Sequence, residues 1–120
     1  MLSHRLRHRI HIQQPEKTQD PQSGEEISGW QTLYLGLKPL NSVPAEVLTG
    51  AGREFIAADA KQSETTARIN IRWFPIDISL FYQCRILWDG RVYDIHSIET
   101  DLTGRQEWRL RCKDGVNQGG

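Results

Sequence analysis

Residues Trp73 to Lys113 read WFPIDISLFYQCRILWDGRVYDIHSIETDLTGRQEWRLRCK. Cys84 to Trp88 and Arg91 to Ile98 flank the dipeptide Asp89-Gly90, a type I′ hairpin signal because both central positions need positive φ. Thr103-Gly104 turns the chain again into a segment over Glu107 to Lys113. Short apolar runs joined by tight turns, with arginines on the alternate positions, predict antiparallel strands. The stretch holds no nucleophile elbow and no glycine-rich phosphate loop, so its signal is architectural and not catalytic.

Working back toward the N-terminus, Thr65 to Trp73 alternates in the same way. Ala67, Ile69, Ile71 and Trp73 share one face, and Arg68, Asn70 and Arg72 the other. Arg5 to Gln13 alternates as well, with Leu6, His8, Ile10 and Ile12 facing in and Arg5, Arg7, Arg9 and His11 facing out. Its β-branched isoleucines favour a strand over the competing helix, and Pro15 is expected to end it. Trp30 to Leu37 forms another strand, placing Leu33, Leu35 and Leu37 on one face.

Gln14 to Gly29 is polar and holds Asp20-Pro21-Gln22-Ser23-Gly24, which predicts a mobile hairpin tip or long loop. Pro39 to Gly52 carries Pro39, Pro44, Gly50 and Gly52 and is expected to be a long connection, the kind that is often functional. Arg53 to Lys61 is alanine-rich and predicts one short helix. The whole is therefore mainly β: a small antiparallel β-barrel of about six strands with long loops and one short helix. It is read as a single domain over residues 1–120, with a flexible tail over 114–120.

Lys plus Arg and Asp plus Glu number 15 each, so the net charge is zero. That balance argues against indiscriminate coating of nucleic acid but not against local patches. Arg5, Arg7 and Arg9 form a candidate electrostatic stripe, facing either an acidic neighbour or DNA phosphate; a solvated barrel exterior is the plainer reading. No apolar run approaches the ~20 residues of a membrane span, and no signal peptide is evident. Cys84 and Cys112 read as small strand residues held reduced in a cytoplasmic setting.

Other constellations are weak. His4, His8 and His11 would share a face only on a helix, and no acid or cysteine stands beside them to complete a metal shell. Asp94 with His96, which share a face on a strand, and Asp77 with Ser79 could suggest acid–base pairs, but such residues at random spacing are common and no nucleophile elbow accompanies them. No cofactor and no enzymatic activity are expected.

Taken in order, four segments resemble the head–tail joining proteins of tailed bacteriophages, also called head-closure, stopper or head completion proteins. They are LRHRIHIQQP (Leu6 to Pro15), GWQTL (Gly29 to Leu33), GREFIAADAKQSETTARINIRW (Gly52 to Trp73) and RILWDGRVYDIHSIETD (Arg85 to Asp101). The chain departs from that pattern in a longer Asn41 to Ala51 link and at Ile78-Ser79-Leu80-Phe81.

The resemblance implies a structural protein of the virion neck, present in the host cytoplasm during assembly. It implies binding below the portal–adaptor complex, closing of the DNA channel after packaging, and a docking surface for tail proteins. It further implies a homo-oligomeric ring, dodecameric in the virion and monomeric in isolation, with contact to packaged DNA. On that basis Asn41, Ser42, Val43, Pro44, Thr49, Gly50 and Gly52 form a candidate channel or assembly loop. Arg53, Glu54, Asp20 and Glu25 are candidate subunit or partner contacts. Two rivals stand beside this reading: an OB-like nucleic-acid-binding barrel, and another neck or tail-completion protein.

Overall fold

The structure is a computed structural model that describes residues 5–49 and 67–114. The elements run β1 (His8–Gln19), β2 (Glu26–Thr32), β3 (Tyr34–Leu35), β4 (Lys38–Pro39), β5 (Val43–Thr49) and β6 (Ala67–Arg72). They continue through α1 (Ile78–Gln83), β7 (Arg85–Trp88), β8 (Arg91–Glu99) and β9 (Glu107–Asp114). Antiparallel pairing runs β1-β5-β6-β9-β8-β7 and returns from β7 to β1, which closes a six-strand barrel. Closure leaves those six strands no long open edge.

The alternation seen in sequence sets the inside of the barrel. Ile10 and Ile12, Ala45 and Val47, Ile69 and Ile71, Tyr93 and Ile95, and Leu110 and Cys112 all point inward and are buried. Arg68, Asn70 and Arg72 lie on the other face of β6, as the period of two requires. The β7–β8 turn is the one expected: Asp89 has φ 52° and Gly90 φ 74°, with Trp88 paired to Arg91.

Helix α1 plugs one end. Asp77 caps it, its carboxylate accepting from the Ser79 amide at 3.1 Å. Phe81 is fully buried from this helix and meets Trp108 edge-on at 5.4 Å and Phe74 at 5.7 Å. The Trp108 indole donates to the Phe74 carbonyl at 2.9 Å, so its one polar group is satisfied. Burying a side chain of this size contributes about 1.5–3 kcal/mol.

Three sequence expectations need correction. First, Pro15 does not end β1. Ile12 directs its N–H to Leu40 and its C=O to Leu33, on the side where β2 follows. Backbone directions alternate, so Pro15 faces the opposite edge, which β7 has already left after Gln13. A residue without N–H is tolerated there.

Second, Val43, Pro44 and Thr49 do not belong to an irregular loop: Val43–Thr49 is strand β5, in the barrel wall between β1 and β6. Pairing to β6 begins at Ala45, so Pro44 sits just before that ladder, where its missing donor costs little. Asn41 and Ser42 remain an exposed bend ahead of it.

Third, the strand expected to reach Leu37 stops at Thr32. A small β3–β4 hairpin follows, with Gly36 at φ 65° and Leu37 98% exposed at its tip. The helix expected over Arg53 to Lys61 lies outside the described residues, and α1 was not expected from the sequence. Most of the tail expected over 114–120 lies outside them too, while Asp114 is the last residue of β9.

Candidate assembly surface

Beyond Gln13, β1 leaves the barrel wall and continues with β2 alone, from the Gln14–Gln31 pair to the Gln19–Glu26 pair. Six residues of strand make a ribbon about 20 Å long. This arm ends in a turn over 20–25. The Asp20 amide donates to the Glu25 carbonyl at 2.8 Å, and the Asp20 carboxylate accepts from the Gln22 amide at 2.9 Å. That amide, with Ser23, holds the Asp20 carboxyl below its ordinary range. The predicted contacts Asp20 and Glu25 therefore sit together at the arm's tip.

The root of the arm is fastened to the barrel by polar contacts. Arg85 lies 4.3 Å over the Trp30 ring and donates to Gln13 at 2.8 Å. His11 Nε2 and Thr32 Oγ1 are 2.8 Å apart. Burial, with the nearby Arg85 charge, pushes the His11 pKa down, which favours the neutral ring.

The three arginines of the candidate stripe, Arg5, Arg7 and Arg9, are all exposed. Arg5 and Arg7 precede β1, and Arg9 is exposed within it. Arg5 is engaged by acids of the same chain: its guanidinium lies 3.4 Å from Glu46 and 3.0 Å from Glu107. Glu46 in turn accepts from Asn70 at 2.7 Å. Arg5 thus ties the N-terminal segment across the outside of β5, β6 and β9. The acids that neutralise it lie far along the chain, so the repeating pattern around Arg5 gave no sign of them.

The outward faces of β6 and β9 are basic. Arg68, Arg72, Arg109, Arg111 and Lys113 lie there with Glu107, and Arg68 stands directly opposite Arg111 in the register. The sequence showed these arginines only as separate alternations; the β6–β9 pairing brings them together.

At the helix end of the barrel, Trp73, Ile76, Ile78, Ile98 and Leu102 line an open groove. Arg105 covers the Trp73 ring at 5.3 Å, and Leu102 is 77% exposed.

No group of three or more His, Cys, Asp and Glu side chains able to hold a metal occurs among the described residues. His8 packs edge-on against Trp88 at 5.3 Å while His11 bonds Thr32 on the other face, and His4 lies outside the described residues. Asp94 and His96 are both exposed on β8, where a bulge falls between Ile95 and Ser97. Cys84 and Cys112 are buried free thiols. Burial pushes Cys84 up to about 12 and raises Cys112 further, which makes both poor nucleophiles. Gly50, Gly52, Arg53 and Glu54, also singled out in sequence, lie outside the described residues.

A closed barrel with a projecting arm and buried, inert thiols can be compared with known proteins. The family model for phage head completion proteins matches residues 1–115. The chain belongs to that family. Its role is accordingly a structural one in the head–tail region of a phage particle. Among solved structures, a Shigella flexneri 2a protein determined in solution is similar, with a TM-score of 0.68 and 27% identity over 95% of this chain and 96% of that one. A chain in the virion of a native gene transfer agent particle shares the fold, with a TM-score of 0.57 and 19% identity over 93% of this chain and 96% of that one. Comparison with curated proteins returns no match.

Proposed function

We propose that this head completion protein forms a ring below the portal and its adaptor, closes the DNA channel once packaging ends, and offers the surface on which the tail docks. The observation that carries the reading is the family match over residues 1–115, nearly the whole chain. The geometry supports it. Barrel closure and the aromatic plug give a rigid body, and rigidity suits a part that must hold against pressurised DNA. The arm and the basic β6–β9 face provide two separate surfaces for neighbours. A chain that is monomeric alone can still join tightly when many copies meet one platform, because each contact raises the effective concentration of the next.

Within this reading, the bend at Asn41 and Ser42 and the chain between Thr49 and Ala67 are the candidates for contact with the channel or the adaptor. A channel-closing role is tested on particles that lack the protein. Heads that fill and then lose DNA support closure. Heads that retain DNA beside complete but unattached tails point instead to a tail-completion protein.

The OB-like alternative needs exposed aromatics for base stacking. Trp30 and Trp73 are covered by Arg85 and Arg105, Trp88 is met by His8, and Trp108 is buried; Tyr34 and Tyr82 are exposed but stand on separate elements, β3 and α1. That arrangement favours the neck reading. Tight binding of single-stranded DNA with a steep salt dependence would reverse the preference.

A further inference from the structure

Two apolar features of the described surface have opposite shapes. The first protrudes. The β3–β4 hairpin turns through Gly36 and Leu37, and Leu37 stands 98% exposed at its tip with Tyr34 58% exposed behind it. The second is hollow. The groove at the helix end, about 650 Å³, is lined by Ile78, Ile98, Leu102 and the Trp73 ring. Single exposed leucines are ordinary, but a contiguous apolar hollow open to solvent marks a place where something docks.

Their positions fit one another as well as their shapes do. The hairpin hangs on β1: the Ile12 amide donates to the Leu40 carbonyl and the Leu33 amide to the Ile12 carbonyl, both at 2.9 Å. The groove is built around the start of β9, from Trp73 just after β6, Trp108 on β9 and Ile98 on β8. In the closed order β1-β5-β6-β9-β8-β7, β9 is three strands from β1 in either direction. Ile12 pairs with Ile86, just after α1, so the hairpin leaves the barrel at the helix end too. Knob and groove therefore stand on opposite sides of one rim, the arrangement that lets identical copies dock side by side. Charge agrees with shape. Lys38 is the one charged residue of the hairpin and is exposed beside Leu37. On the groove side, Arg105 is occupied: it lies 5.3 Å over the Trp73 ring and its Nε donates to the Leu102 carbonyl at 3.2 Å. Glu99 is exposed along the same lining, and Arg109, opposite it in the β8–β9 ladder, is itself 3.6 Å from Glu107.

We infer that the hairpin tip of one copy enters the groove of the next, with Leu37 against Ile78, Ile98 and Leu102 and Lys38 toward Glu99. An apolar anchor in a pocket with a charged pair at its rim is the usual plan of a specific contact. This one is heterologous, so it repeats from copy to copy and makes a ring where the rotation closes. The inference rests on the neck reading above, which sets copies side by side.

The test uses particles assembled in cells that supply a variant full-length protein in place of the native one. Leu37→Asp lowers the number of incorporated copies by roughly tenfold, and Leu102→Asp does the same. Leu37→Met, which keeps the apolar knob, stays within about twofold of the native protein. Both leucines are exposed in the single chain, and circular dichroism on each purified variant checks that the barrel is kept. In particles carrying Leu37→Cys with Leu102→Cys, mild oxidation yields a ladder of linked copies on a non-reducing gel, and neither single cysteine yields more than dimers.

If the protein is found in the neck and no ladder forms, or Leu37→Asp is incorporated as well as the native protein, the hairpin contact is overturned while the neck reading stands. A groove cysteine that links to a different neck protein, or to a cysteine of its own chain, overturns it equally. If the native protein is absent from the neck, both fall.

Discussion

Between Gln13 and Gln14, β1 passes from a wall with neighbours on both edges to a ribbon with a neighbour on one. On the wall side, side chains alternate between a sealed apolar interior and solvent, and Phe81, Phe74 and Trp108 close the end. On the ribbon side there is no interior, only a ladder of hydrogen bonds and a tip built by Asp20. One strand therefore joins a part stabilised by its own burial to a part whose ordering relies on what it touches. The difference suggests a division of labour: the barrel bears load, and the arm connects.

The largest effect that would break this comparison lies in the plug. Phe81→Ala should cost about 3–5 kcal/mol in urea unfolding, through lost burial and the cavity left behind. A loss under about 1 kcal/mol would mean that the helix end is not part of the core. Next comes the β7–β8 turn. Gly90→Ala places a Cβ at φ 74° and should cost roughly 1–2 kcal/mol, read by the same titration. Arg5→Ala should be milder, about 0.2–1 kcal/mol, because the guanidinium is partly solvated and its two ion pairs are screened by salt. Repeating that measurement at high ionic strength should shrink the difference. Smallest of all, Asp20→Lys with Glu25→Lys should leave barrel stability within about 0.5 kcal/mol, since neither side chain touches the core. A larger loss would show that the arm and the barrel fold as one unit and would erase the contrast.

What the sequence revealed follows the same division. Strands with both a buried and a solvated face, such as Ala67–Arg72 and Glu107–Asp114, write their period into the residue order, and Asp89-Gly90 declared its turn. β5 escaped because Pro44 reads as a breaker unless the place where its ladder starts is known, and that depends on pairing with residues far along the chain. Pro15 misled for the same reason. Helix α1 is only six residues long, too short for its period to register, although Asp77 and Ser79 carried its cap. Asp20 and Glu25 were placed at a tip by turn chemistry alone. The basic side chains of β6 and β9 gave no joint signal, because they come together only once β6 lies beside β9.

The continuity of β1 also has a mechanical side. A pull on the tip directed along the ribbon travels through one unbroken backbone and reaches the ladders to β5 and β7 in shear, so their bonds must yield together. A pull across the ribbon would unzip β2 from β1 one rung at a time. A coupling of this kind is stiff in one direction and compliant in the other, which lets the tip find its seat yet resist being dragged out lengthwise.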